Sequence, residues 1–255
     1  MTGGEADQPP VAEFVWPSVN TLGAGAVSRW FWLGWGDLRA APVASLFYGA
    51  VLALMGYLFT HFLGGAVGVA LTTGFLLVGP FLAIGVYDLS RRREVGEPLT
   101  LRPTLTAWQA NFPAIGFYAV ALTLLLAAWI RVSVVVVAVF FPEGQIDWGA
   151  PAAWGFAGIY AAVGAGLALF VFASTSLSLP MLLDRREMDT ISAAITSFNA
   201  LRRNFRTMVT WGVFIVVLTA AGFATWRLGL VVAMPLIGHM TWHAYRETIA
   251  PQSPV

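Results

Sequence analysis

His239, His243 and Glu247 lie four residues apart near the end of the chain. On a helix that spacing places all three on one face. Two His one turn apart can share a metal ion, and a Glu could join them. A full site would need another ligand from elsewhere in the fold. The ordinary alternative is a helix end at the membrane–water boundary, where His and the neighbouring Trp242 are common. No ligand set is complete in the sequence, so no metal and no cofactor is expected. Arg131 is the one ionisable residue clearly inside an apolar run. A guanidinium in hydrocarbon is costly unless it snorkels to water or finds a partner. Arg131 sits in the outer part of its run, within reach of Glu143 and Asp147; the sharper reading is a site for an anion or a partner subunit. Ser174 and Ser176 would join Arg131 in lining a polar cavity, if kinked helices enclose one. Asp88 with Arg91, Arg92 and Arg93, and Asp184 with Arg185, Arg186 and Glu187, each follow a proline. They read as ion pairs that end a membrane span, or as contacts for anionic lipid headgroups or a partner loop.

Absent chemistry narrows the function classes. There is no Cys, which excludes disulfides, thiol catalysis and cysteine-held clusters. No phosphate-binding glycine loop, HExxH or GxSxG occurs. No apolar run carries an interior Asp or Glu, which ion-coupled transporters commonly use. Nucleic-acid binding has no support. No catalytic residue is assigned, and a non-enzyme is expected.

The elements that must hold these residues are membrane helices. Of 255 residues 58% are hydrophobic and 11% charged, against about 25% charged in ordinary soluble domains. The apolar residues come in runs long enough to span hydrocarbon, and Ala119–Ala128 shows no polar stripe, only Thr123. Six runs stand out, at about 43–63, 66–87, 112–140, 152–180, 207–226 and 228–245. All fourteen basic residues are Arg. Twelve of them fall before Pro42, in 88–111, in 181–206 or after Tyr245, and one, Arg227, falls in the other connections. The positive-inside rule puts the Arg-rich parts, and both termini, in the cytoplasm. Residues 1–18 read as a disordered cytoplasmic tail without the pattern of a secretory signal, and 19–250 as a single six-helix domain.

The Arg-rich connections carry structure of their own. Ile191, Ile195, Phe198 and Leu201 recur at helical spacing, followed by Arg202, Arg203 and Arg206. Leu105, Trp108 and Phe112 share a side after Pro103, which suits a first helical position. Trp30, Phe31, Trp32 and Trp35 crowd together before the first run. Each predicts an amphipathic helix at the cytoplasmic interface, at about 28–38, 103–110 and 187–202. Pro80, Pro180 and Pro235 fall in the even-numbered runs, and Asn-Phe stands at the entry to the third and fifth. The expected fold is all-α and polytopic: six transmembrane helices as three pseudo-repeated parallel hairpins, with cytoplasmic amphipathic helices around them. A proline within a span frees a carbonyl one turn earlier, and Ser174, Thr175, Ser176 and Ser178 are near enough to satisfy it. Ala153, Ala157, Ala161 and Ala165, beside Gly158, Ala162 and Gly166, form a small-residue stripe suited to close helix approach.

The stretches GWGDLRAAPVASLFYGAVLALMG over 34–56 and GPFLAIGVYDLSRRREVGEP over 79–98 resemble an uncharacterised family of bacterial integral membrane proteins. Some members of that family are labelled cytochrome c oxidase subunits. The resemblance runs from about Val19 to Tyr245 and implies a six-helix protein of the bacterial inner membrane, with no established activity. Only His61, His239 and His243 are available as imidazole ligands, so a catalytic haem–copper subunit is excluded and an accessory one is not. The expected function is therefore non-catalytic: binding, stabilising or helping to assemble another inner-membrane complex, with a terminal oxidase as first candidate and membrane lipids as constant neighbours. The alternative is a transporter or a lipid- or small-molecule-binding protein with a cavity between kinked even-numbered helices.

Overall fold

The computed structural model describes residues 16–61, 81–143 and 147–249. The elements in chain order are α1 (Ala26–Ala40), α2 (Pro42–His61), α3 (81–94), α4 (Leu101–Thr104), a 3-10 turn (Ala107–Asn111), α5 (Phe112–Phe140), α6 (Ala152–Thr175), α7 (Ser178–Asp184), α8 (Thr190–Arg203), α9 (Phe205–Ala224) and α10 (Leu230–Thr248). Among the described residues no strand forms; one antiparallel bridge joins Val19 to Ile249. Among the described residues, three helical stretches are long and apolar enough to cross a membrane: Leu101–Phe140, Ala152–Asp184 and Phe205–Ala224. The bent pair Ala26–Ala40 and Pro42–Leu58, which turns by 105°, makes up to four. The second expected run falls largely on 62–80, with Pro80, outside the described residues. The sixth is helical, as α10, but its C-terminal half is polar and packed.

α10 is the hub, and glycines set how closely its neighbours approach. Pro235 lies inside α10 and cannot donate to the carbonyl of Val231 one turn earlier. Gly49 of α2 sits over that carbonyl: a Cβ there would lie 1.8 Å from the Val231 oxygen and 2.9 Å from Pro235 Cδ. Gly34 lets α1 press on Met240, and Gly238 of α10 takes Val86 of α3. Residues 19–22 tie in the same end, with Asn20 N–H on the Thr248 carbonyl at 2.8 Å and Leu22 N–H on Asn204 Oδ1 at 2.7 Å.

Helices stand near all three places where amphipathic ones are expected, with different surroundings. Trp30 is not an interfacial ring. It is wholly buried, edge-on to Trp211 at 5.8 Å, while Trp32 is exposed. The stretch 103–110 is two short pieces, and Pro103 takes the third position of α4 rather than the first. α8 is capped by Asp189, whose carboxylate accepts from the N–H of Ile191 and of Ser192, both at 2.9 Å. Its polar Ser192, Thr196 and Ser197 turn inward, while Ile191, Ile195 and Phe198 are exposed.

The α5–α6 hairpin differs from this packed region. Between Ala121 and Phe140 of α5, and between Ala157 and Phe172 of α6, no residue is buried. The hairpin closes on itself through Trp129 against Gly164 and Phe140 against Gly155, and at its tip through Phe141, Ala153 and Phe156.

Candidate functional site

The one-face spacing of His239, His243 and Glu247 holds, and the face is turned to α1. His239 is fully buried and holds two serines: Ser45 Oγ of α2 at 2.9 Å from Nε2, and Ser90 Oγ of α3 at 2.7 Å from Nδ1. A neutral imidazole donates from one nitrogen and accepts at the other, so one His satisfies both. His243 Nε2 lies 2.8 Å from Asp37 Oδ2, and Arg93 donates to Asp37 Oδ1 at 2.5 Å. Asp37 lies in α1, outside the long apolar helices. Its burial would raise its carboxyl pKa, but the hydrogen bonds from His243 and Ser90 and the facing imidazoles hold it below the ordinary value. Glu247 accepts from Trp30 Nε1 at 2.7 Å and pairs with Arg29.

Further ion pairs extend this seam. Asp88 holds Arg91 at 2.8 Å and Arg92 at 2.6 Å, and both reach Glu97. Glu94 of α3 accepts from Trp242 at 3.1 Å and from Arg246 at 2.7 Å. Tyr245 donates to Asp184 of α7 at 2.6 Å, and Arg185 reaches the Tyr245 hydroxyl at 3.3 Å. Chemically the cluster is a clamp. Ser45 and Ser90 are 0% and 1% exposed, so neither hydroxyl presents itself to a substrate. Among the described residues no three His, Asp or Glu are grouped to hold a metal.

The second polar feature is the break between α6 and α7. α6 ends at Thr175, two residues intervene, and Pro180 lies buried in the first turn of α7. Carbonyls freed there are met from three sides. Ser197 of α8 donates to the Ala173 carbonyl at 2.8 Å and accepts from Leu177 N–H at 3.3 Å. Tyr118 of α5 donates to the Ser174 carbonyl at 2.8 Å, and Ser178 donates to the same oxygen. Asn111 and Asn204, each just before a Phe that begins a long helix, both bind backbone of another segment: Asn111 the Met188 carbonyl at 2.9 Å, Asn204 the Asn20 carbonyl at 2.8 Å.

These contacts serve helices whose apolar lengths have no use in water. Residues 68–184 match the model of a family described as "Predicted integral membrane protein (DUF2189)". This chain is an integral membrane protein. No curated protein and no solved structure matches it. None of the comparisons carries the oxidase label that the family resemblance raised.

Beside the break, this membrane protein has an apolar groove of about 480 Å³ between α5, α6 and α8, bordered by Tyr118, Leu122, Phe170, Ser174, Ile195 and Phe198. A more polar hollow of about 400 Å³ opens at its end, against Asn111, Arg186, Glu187 and Asp189. Phe117, Thr190 and Ile191 line both.

The residues singled out in the sequence scatter over these features. His239, His243 and Arg93 meet in the seam; Arg91 and Arg92 flank it on Asp88. Arg185 is buried near Tyr245, whereas Arg186 is exposed at the hollow. Ser174 borders the groove, Ser176 is buried 3.3 Å from Ser197 Oγ, and Arg131 is exposed on α5. No ion pair joins Arg131 to Glu143 or Asp147 among the described residues. Sequence reasoning missed Asp37, Ser45, Ser90, Tyr118 and Ser197. Each is an unremarkable polar residue whose partner lies far along the chain; Asp37 and Ser45 fall in the quoted stretch 34–56 and Ser90 in 79–98, but nothing there marks them as partners of His239 and His243.

Proposed function

We propose that this is a non-catalytic, six-span protein of the bacterial inner membrane that binds and stabilises, or helps assemble, another membrane complex. The observation that carries the reading is the contrast within the molecule. One end is filled and clamped by ion pairs. The α5–α6 hairpin stands largely exposed, and on its open side Gly158, Ala161, Ala162, Ala165 and Gly166 line α6. A Cβ added at Gly158 or Gly166 would meet nothing within 4 Å. Small residues on such a flank let a partner helix approach to backbone distance. The equivalent work of Asn111 and Asn204 supports a repeated hairpin plan. A terminal oxidase is the first partner to test, on the family resemblance alone.

The test is purification in mild detergent, with mass spectrometry and a haem spectrum of what co-purifies. One partner complex should be held in fixed ratio and released by Ala162→Leu with Gly166→Leu, while the seam and the fold persist. A protein that folds normally and holds the same partner with a blocked stripe would refute the reading.

A further inference from the structure

The groove and the hollow share three lining residues, so they form one continuous depression with a graded polarity. The apolar part runs along α5 from Phe117 to Leu125, about 12 Å at 1.5 Å per residue. That length accommodates the upper half of an acyl chain. It lies where the long apolar run of α5 begins, and its outer wall is the exposed edge of α8, Ile191, Ile195 and Phe198. The hollow lies at the level of the first turn of α5, beside Pro113 and Ala114. An acyl chain in the groove would therefore carry its headgroup into the hollow.

The charges in the hollow select among headgroups. Arg186 is exposed and forms no ion pair among the described residues, although Asp184 and Glu187 are close in sequence. Glu187 is also exposed and unpaired among the described residues. Asp189 uses one oxygen to cap α8. Hydrogen bonds from the Ser192 side chain and backbone hold its carboxyl below the ordinary value, so it remains ionised. One cation and two carboxylates disfavour a purely anionic headgroup, because a phosphate on Arg186 would also face Glu187 and Asp189. A headgroup with both a phosphate and an ammonium matches both signs. A primary ammonium can also donate hydrogen bonds to the carboxylates, which a quaternary one cannot.

We propose that this depression binds one bilayer phospholipid of the phosphatidylethanolamine type. Its phosphate rests on Arg186, its ammonium faces Glu187 and Asp189, and one acyl chain lies between α5, α6 and α8. The site is independent of the α6 stripe and does not rest on a protein partner.

The full-length protein, purified and given equal amounts of phosphatidylethanolamine, phosphatidylcholine and phosphatidylglycerol, would be weighed intact by native mass spectrometry. One phosphatidylethanolamine should be retained in preference to either competitor by about tenfold, the worth of one charge-assisted hydrogen bond. Arg186→Gln should lower total lipid retention. Glu187→Gln should shift the preference toward phosphatidylglycerol, a change of selectivity that a purely structural role would not produce. Ala194→Phe, which fills the groove, should abolish retention of all three. Equal retention of the three lipids by the wild type, undiminished retention by Arg186→Gln, or an unchanged preference in Glu187→Gln overturns the proposal. If Ala194→Phe fails to fold, the two surface variants decide alone.

Discussion

Gly49 shows how a single missing side chain organises this protein. Pro235 leaves the Val231 carbonyl without its helical donor, and α2 closes over that oxygen only because Gly49 has no Cβ. Gly49→Ala would force backbone against backbone, since its Cβ would sit 1.8 Å from the carbonyl oxygen. Overpacking of this kind costs about 1–3 kcal/mol, and here neither side is a flexible side chain that can swing away. The expected outcome is a clearly lowered unfolding temperature in detergent. Gly56→Ala is the control, because its Cβ would meet nothing nearer than Leu230 Cδ1 at 4.0 Å. Equal stability of the two variants would contradict the close approach of α2 to α10. His239 works at the same scale: one imidazole joins α10 to α2 and α3 through two buried serines.

At the scale of elements, the break between α6 and α7 is held by residues from α5 and α8. Prolines in apolar helices are tolerated where neighbouring groups re-satisfy the freed backbone. Ser197 is the chief such neighbour, bonding both a carbonyl before the break and an N–H within it. Ser197→Ala would leave the buried Ala173 carbonyl without this donor, at a cost of about 1–3 kcal/mol. Ser174→Ala should be nearly neutral, because that hydroxyl bonds the Phe170 and Val171 carbonyls of its own helix. Thermal unfolding of the two variants in one detergent makes the comparison. A larger loss for Ser174→Ala would mean that the break is held otherwise.

For the whole molecule, the proposed orientation rests on the arrangement of charge. The seam gathers Arg29, Arg91, Arg92, Arg93 and Arg246 at one end with their carboxylates, and Arg185 against the Tyr245 hydroxyl. The tip of the α5–α6 hairpin lies at the far end of two long apolar helices. A helix of 29 residues reaches about 43 Å, enough to cross the hydrocarbon and emerge. Reporter fusions at residue 146 are therefore expected to read periplasmic, and fusions at 97, 190 and 255 cytoplasmic. A cytoplasmic reading at 146 would overturn the proposed six-span topology.

The membrane character was legible from the sequence because hydrocarbon imposes length and apolarity on every crossing segment, and such runs need no partner to be recognised. The helices near 28–38 and 187–202 and the shared face of His239, His243 and Glu247 were legible for a similar reason, helical periodicity being local, whereas 103–110 folds as two short pieces. What faces those residues was not. Asp37 meets His243 across 206 positions of chain, and Ser45 meets His239 across 194; no spacing rule encodes such pairings. Trp30 illustrates the same limit. An indole suits either an interface or a core, and the approach of Trp211 places it in the core. Ser197 and Tyr118 became the partners of a broken helix only when α8 and α5 packed beside it. The sequence by itself determined that these helices form and that they belong in a bilayer. The tertiary structure decided which polar groups are clamped and which border a groove, because that depends on contacts between segments far apart in the chain.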